Sequence, residues 1–135
     1  MKLSTIAVNA AAEEAGRWMN SPGLPGVSFK VRGIGNSSYR ALQAKLRAEI
    51  PRAELLRGIS DENADRMQVT LLVETILLDW KGIEDDDGKP LKFTKEKAAK
   101  LLADPNLRVL REAVVSASAL VGEDALAAQE ADAKN

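Results

Sequence analysis

Residues 69–80 read Val-Thr-Leu-Leu-Val-Glu-Thr-Ile-Leu-Leu-Asp-Trp, the end of a run that begins at Ala64 and passes into Lys81-Gly82-Ile83. Advanced by about 100° per residue, Val69, Leu71, Leu72, Val73, Ile76, Leu77, Leu78 and Trp80 point almost all the way round a helix rather than along one stripe. That pattern predicts a central helix from Ala64 to Trp80, buried in the core or shared with a partner. Glu74 and Asp79 interrupt the run too often, and it is too short, for a bilayer span. Gly82 then reads as the helix stop, with Lys81 placed against the negative end of the helix dipole. An acidic turn, Glu84-Asp85-Asp86-Asp87-Gly88, leads to a short return, Leu91-Lys92-Phe93.

Outward toward the N-terminus, Ser60 and Asp61 are N-cap candidates for the central helix, and Asp61, Glu62 and Asp65 suit its positive end. Residues 51–58 carry Leu55 and Leu56 and read as one or two further helical turns. Tyr39, Leu42, Leu46 and Ile50 recur at helical spacing, which predicts a helix over 39–49 capped by Asn36, Ser37 or Ser38 and interrupted at Pro51. Val27, Phe29 and Val31 alternate with Ser28, Lys30 and Arg32, the period of a half-buried strand. With Arg17-Trp18-Met19 before the Pro- and Gly-containing segment 20–26, this predicts a β-hairpin with a long connection. Ile6 to Ala15 reads as a short alanine-rich helix ending at Gly16.

Toward the C-terminus, Thr94 caps a short helix through Leu102, and Asp104-Pro105 is a helix start signal. Leu107, Leu110, Val114, Ala117 and Val121 then form an apolar seam that ends at Gly122. Residues 123–135 are Ala, Glu, Asp, Gln, Lys, Asn and a single Leu, too little apolar area to offset the entropy of ordering. The expected organisation is one globular domain over 1–122 with a flexible polar tail over 123–135. The expected fold class is α+β, mainly helical, with a small N-terminal β-hairpin packed on a bundle of about four helices.

Composition narrows the function. The chain has 135 residues, 45% apolar and 29% charged, in the range of a single soluble domain. A formal net charge of -1, with no dense Lys/Arg cluster, argues against nucleic acid as the main partner. There is no Cys and no His, which removes disulfides, thiolate nucleophiles, Cys/His zinc sites and the commonest neutral-pH general base. The first residues lack the sustained apolar stretch of a secretory signal, so a cytosolic location is expected.

Three stretches invite a chemical reading. Gly33-Ile34-Gly35-Asn36-Ser37-Ser38 follows a strand and opens a helix, but it lacks the third glycine of a dinucleotide fingerprint and the Lys-Ser/Thr of a P-loop. Release of the strand and capping of the next helix account for it. If Gly88 is placed sixth in an EF-hand loop, positions one and twelve fall on Ile83 and Thr94, where Asp and Glu are required. The acidic turn therefore reads as a solvated reversal, with no apolar surroundings to raise a carboxyl pKa for acid-base work. Trp18 and Phe29 read as core aromatics. No enzyme, cofactor or metal is expected.

Leu77-Leu78-Asp79-Trp80-Lys81-Gly82-Ile83, then Asp87-Gly88-Lys89-Pro90-Leu91-Lys92-Phe93-Thr94-Lys95-Glu96, then Leu101-Leu102 and Leu107, resemble the tail assembly chaperones of long-tailed, non-contractile phages. Gly16-x-Trp18, the strand over 27–32 and Asn36-x-x-Tyr39 are compatible with that family, so the similarity covers roughly residues 13 to 121. It implies a protein of the host cytoplasm, absent from the mature virion, that coats the tape measure protein and helps recruit tail tube subunits. A homo-oligomer is expected, with no nucleic-acid or membrane partner. Trp80, Leu107, Leu110, Val114 and Val121 are the candidate partner-binding residues, because the all-round apolar helix and the seam exceed what one small core covers. The alternatives are a structural virion protein, such as a tail completion or connector subunit, and a small-molecule-binding domain or enzyme. The resemblance also implies a longer product made by a -1 ribosomal frameshift. Ala133-Lys134-Asn135 is compatible with the slippery heptamer A-AAA-AAC.

Overall fold

The run that was expected to form one helix is two elements. In a computed structural model that describes residues 1–123, helix α4 spans Asp61–Thr75, and Leu77–Lys81 is strand β3. Only Ile76 separates them, and the backbone groups at this junction are satisfied by other parts of the chain. Asn36 Nδ2 donates to the Thr75 carbonyl at 3.0 Å, and the Arg32 amide donates to the Ile76 carbonyl at 2.9 Å. Those are carbonyls that a helix would leave unpaired at its end. Leaving the helix lets Leu77 and Trp80 face inward while Leu78 and Asp79 turn out, and the strand closes an edge that the strand Ser28–Val31 would otherwise expose. Gly82 therefore ends a strand and stops no helix. Its φ is +86°, and a Cβ there would overlap the Gly26 carbonyl oxygen, so glycine is needed for close approach of the loop over 21–27.

The remaining elements in chain order are α1 (Ala10–Ala15), β1 (Arg17–Asn20), β2 (Ser28–Val31), α2 (Ser37–Ala48), α3 (Arg52–Arg57), α5 (Lys95–Ala103) and α6 (Arg108–Leu120). The expected hairpin forms: β1 and β2 pair antiparallel with Met19 opposite Phe29. β3 adds antiparallel to β2 with Trp80 opposite Phe29, so the order is β1-β2-β3 and the hairpin is part of a three-stranded sheet. The fold is α+β and mainly helical, with six α-helices among the described residues. Capping follows local sequence. Asn36, Ser60 and Thr94 each accept the amide three residues on, and Asp104 accepts from Asn106 at the start of a 3-10 turn that feeds α6.

Met19, Phe29 and Trp80 make one cross-strand row on the inner face of the sheet, against Leu72, Val73 and Ile76 of the α4–β3 segment, Ala98 and Leu102 of α5, and Val114, Ala117 and Val121. Trp80 Nε1 donates to the Leu91 carbonyl at 2.7 Å, and its ring meets Phe93 edge-on, centroids 4.9 Å apart. The return through Leu91 and Phe93 is held by that indole, although it forms no strand. The expected polar tail lies, from residue 124 on, outside the described residues, as does Lys134-Asn135.

Candidate functional site

The five residues singled out for partner contact face inward or sit at the edge of the core. Trp80 is 5% exposed, Val114 and Val121 are 0% exposed, and Leu110 packs against the same cluster. Leu107 is half-buried in the turn before α6. The α6 seam is covered by α5, β2 and α4, and what α6 turns outward is Val109 with Arg108, Glu112 and Ser116. The structure thus brings Trp80, Leu110, Val114 and Val121 together, but as the interior of this chain. The expected excess of apolar helix surface is not there, because α4 ends at Thr75, five residues short of Trp80, and 77–81 go to the sheet.

Incomplete coverage lies elsewhere. Neither α2 nor α3 contains a buried residue, although α2 carries the apolar face Tyr39, Leu42 and Leu46. The C-terminal end of α2, α3 and the first half of α4 form a lobe. Leu46, Ile50, Pro51 and Met67, with Glu49, Asn63, Arg66 and Thr70, line a groove of about 270 Å³ in it. On α3, Leu55 is 36% and Leu56 79% exposed. The short helix is tethered to α4 by Asn63, whose Nδ2 donates to both carboxylate oxygens of Glu54 at 2.9 and 2.7 Å. Exposed leucines on a helix tethered in this way make a protein-contact surface a better reading than a small-molecule site. Sequence reading had the parts, since Leu55-Leu56 between Pro51 and Gly58 was visible. It had no means of seeing that α2 packs on only one side.

A family model described as YdaY prophage protein matches residues 34–135. The chain belongs to that family. It is therefore of phage origin. No curated protein and no solved structure matches the chain.

In this YdaY-family chain the matched region opens at the glycine loop between β2 and α2, where the structure supplies an anion from the chain itself. Glu14 of α1 accepts from the Ser37 amide and from Ser37 Oγ at 3.0 Å, and pairs with Arg32 Nη2 at 3.1 Å. The Ser37 amide hydrogen bond, then the Ser37 hydroxyl and Arg32, hold the Glu14 carboxyl below the ordinary glutamate range. Glu13 lies over the loop, and a Cβ at Gly33 would fall 2.5 Å from its side chain. The loop needs its glycines for a neighbouring glutamate, which is why it resembles a phosphate cradle without the rest of the fingerprint. The acidic turn is likewise internally occupied: Asp85 Oδ1 accepts the Asp87 and Lys89 amides at 2.9 and 3.0 Å.

Proposed function

We propose that this prophage protein is a tail assembly chaperone: it binds and coats the tape measure protein in the host cytoplasm, helps bring tail tube subunits to it, and is left out of the mature virion. The observation that carries the reading is the resemblance over 77–107, a segment that lies wholly within the family match and gives Leu77, Trp80, Ala98 and Leu102 to the core. There β3 is tied to the return over 91–93 by the Trp80–Leu91 hydrogen bond and the Trp80–Phe93 contact. Phage origin supports the coarser part of the reading. The under-covered lobe, with leucines presented to solvent, supports a protein rather than a small molecule as client. A chaperone acting in this way needs no cofactor and no catalytic group.

The test has two arms. Co-expression with the tape measure protein of the same phage, followed by affinity capture, is expected to recover a complex. Mass spectrometry of purified virions is expected to find the tape measure protein and the tail tube but not this chain. Stoichiometric presence in virions would overturn the chaperone reading in favour of a tail completion or connector subunit. Failure to capture the tape measure protein would remove the client.

A further inference from the structure

Residues 1–15 lie against the molecule without entering its core. No residue of the 3-10 turn Leu3–Thr5 or of α1 is buried, and of the apolar side chains over 1–15 only Ala12 is half-buried and packed against the core cluster. Met1, Leu3, Ile6 and Val8 are each at least 60% exposed. The hold on the rest of the chain is mainly polar. The Asn9 amide donates to the Gly122 carbonyl at 2.7 Å, and the Gly33 amide donates to the Glu13 carbonyl at 2.9 Å. The Gly35 amide donates to Glu13 Oε2 at 3.3 Å, the Ser37 amide and hydroxyl donate to the Glu14 carboxylate, and Arg32 Nε donates to the Glu14 carbonyl at 2.7 Å.

The seat of Glu13 is built of glycine. A Cβ at Gly33, Gly35 or Gly122 would stand 2.5, 2.9 or 3.1 Å from Glu13 side-chain atoms. None of the three has a positive φ, so the backbone does not call for glycine there; the room they leave is taken by Glu13, with Val8 beside it at Gly122. Gly16, at φ +84°, donates its amide to the Ala12 carbonyl at 2.8 Å and is followed at once by β1, so the segment ends on a single residue able to absorb a change of backbone direction. The geometry points to residues 1–15 being a strap that opens about Gly16 while the sheet and α2 to α6 stay folded, with Glu13 and Glu14 as its latch. Opening uncovers little apolar surface, and segments with few buried apolar contacts open at lower free energy than the whole chain. Closed, the two carboxylates fill the donors at the start of α2: the Gly35 and Ser37 amides, the Ser37 hydroxyl and Arg32. Open, those donors face solvent. The strap is independent of the chaperone reading.

Amide hydrogen exchange of the full-length chain, resolved by residue and repeated at several urea concentrations below the unfolding transition, tests the strap. The Asn9, Gly33 and Ser37 amides, each bonded across the contact between strap and body, are expected to share one opening. It should be at least about tenfold more frequent than the opening that exposes Leu72 and Val114, and nearly insensitive to urea because little surface is uncovered. Glu13→Lys with Glu14→Lys sets cations beside Arg32 in place of the latch. It is expected to strip protection from Asn9, Gly33 and Ser37 while Leu72 and Val114 stay protected and urea unfolding stays cooperative. Gly33→Ala keeps both carboxylates and puts a methyl group into the seat, and should speed exchange at Asn9 and Ser37 by about tenfold, the equivalent of one charge-assisted hydrogen bond. Wild-type Asn9, Gly33 and Ser37 amides that exchange only together with Leu72 and Val114, at the same opening frequency and urea slope, overturn the inference, because strap and body then open as one. So does loss of protection at Leu72 and Val114 in the double variant, which would make the strap part of the body. Wild-type protection of Gly33 and Ser37 in the double variant overturns the assignment of the latch, and wild-type exchange in Gly33→Ala overturns the glycine seat.

Discussion

Replacing Trp80 by Ala is the perturbation that best separates a core role from a contact role. The indole is 5% exposed, stands in one row with Met19 and Phe29, donates Nε1 to the Leu91 carbonyl and meets Phe93 edge-on. Large-to-small changes at buried aromatics cost about 3–5 kcal/mol. Within that figure, the edge-on ring pair accounts for about 0.5–1.5 kcal/mol. The Leu91 carbonyl left without a donor accounts for about 1–3 kcal/mol, less where water reaches it. Against a typical total of about 5–15 kcal/mol, the loss is large enough to leave part of the chain unfolded at growth temperature. Urea denaturation followed by circular dichroism at 222 nm is the assay, because removing Trp80 also removes a fluorophore and leaves only Trp18. Trp80→Phe keeps most of the burial and loses the donor, so it should cost about 1–3 kcal/mol. A Trp80→Ala variant within about 1 kcal/mol of wild type would refute the core assignment. If that variant had also lost a partner, the indole would be an interface anchor despite its burial.

Val114→Ala removes buried methyl groups and should cost about 2 kcal/mol, whereas Val109→Ala, on the outer side of the same helix at 57% exposure, should change stability by less than about 0.5 kcal/mol; equal effects in denaturant titrations would contradict the covered seam. Gly82→Ala should destabilise by at least about 1–3 kcal/mol from its backbone conformation alone, and further through the clash with Gly26, as a shift in urea midpoint. Glu14 has its folded-state pKa lowered below the unfolded value, so its stabilising contribution is complete above the ordinary glutamate value of 4.5 and is lost as pH falls through the lower folded value. Glu14→Gln should flatten that acid limb, and melts between pH 6 and pH 3 that stay parallel for the two proteins would disprove the assignment. The gene should carry GCA-AAA-AAC, or the same with AAU, at Ala133-Lys134-Asn135 with an open -1 frame downstream; any other codon choice there removes the frameshift expectation.

The helix caps were legible in sequence because capping is local: Asn36, Ser60, Thr94 and Asp104 each act on amides two or three residues away. The β1–β2 hairpin and the α6 seam were legible because alternation and 3–4 spacing report one-sided burial. The break between α4 and β3 was not, since Val69 to Trp80 is apolar under either period and nothing in those residues marks Thr75 as an end. What ends the helix there is Asn36, Arg32 and the unpaired edge of β2, all far away in sequence. The same limit applied to the candidate site. An apolar stripe says that a residue seeks cover, and only the tertiary structure decides whether the cover comes from the same chain, as for Val114 and Val121, or is missing, as for Leu55 and Leu56, because burial depends on how the helices pack and not on which residues they carry.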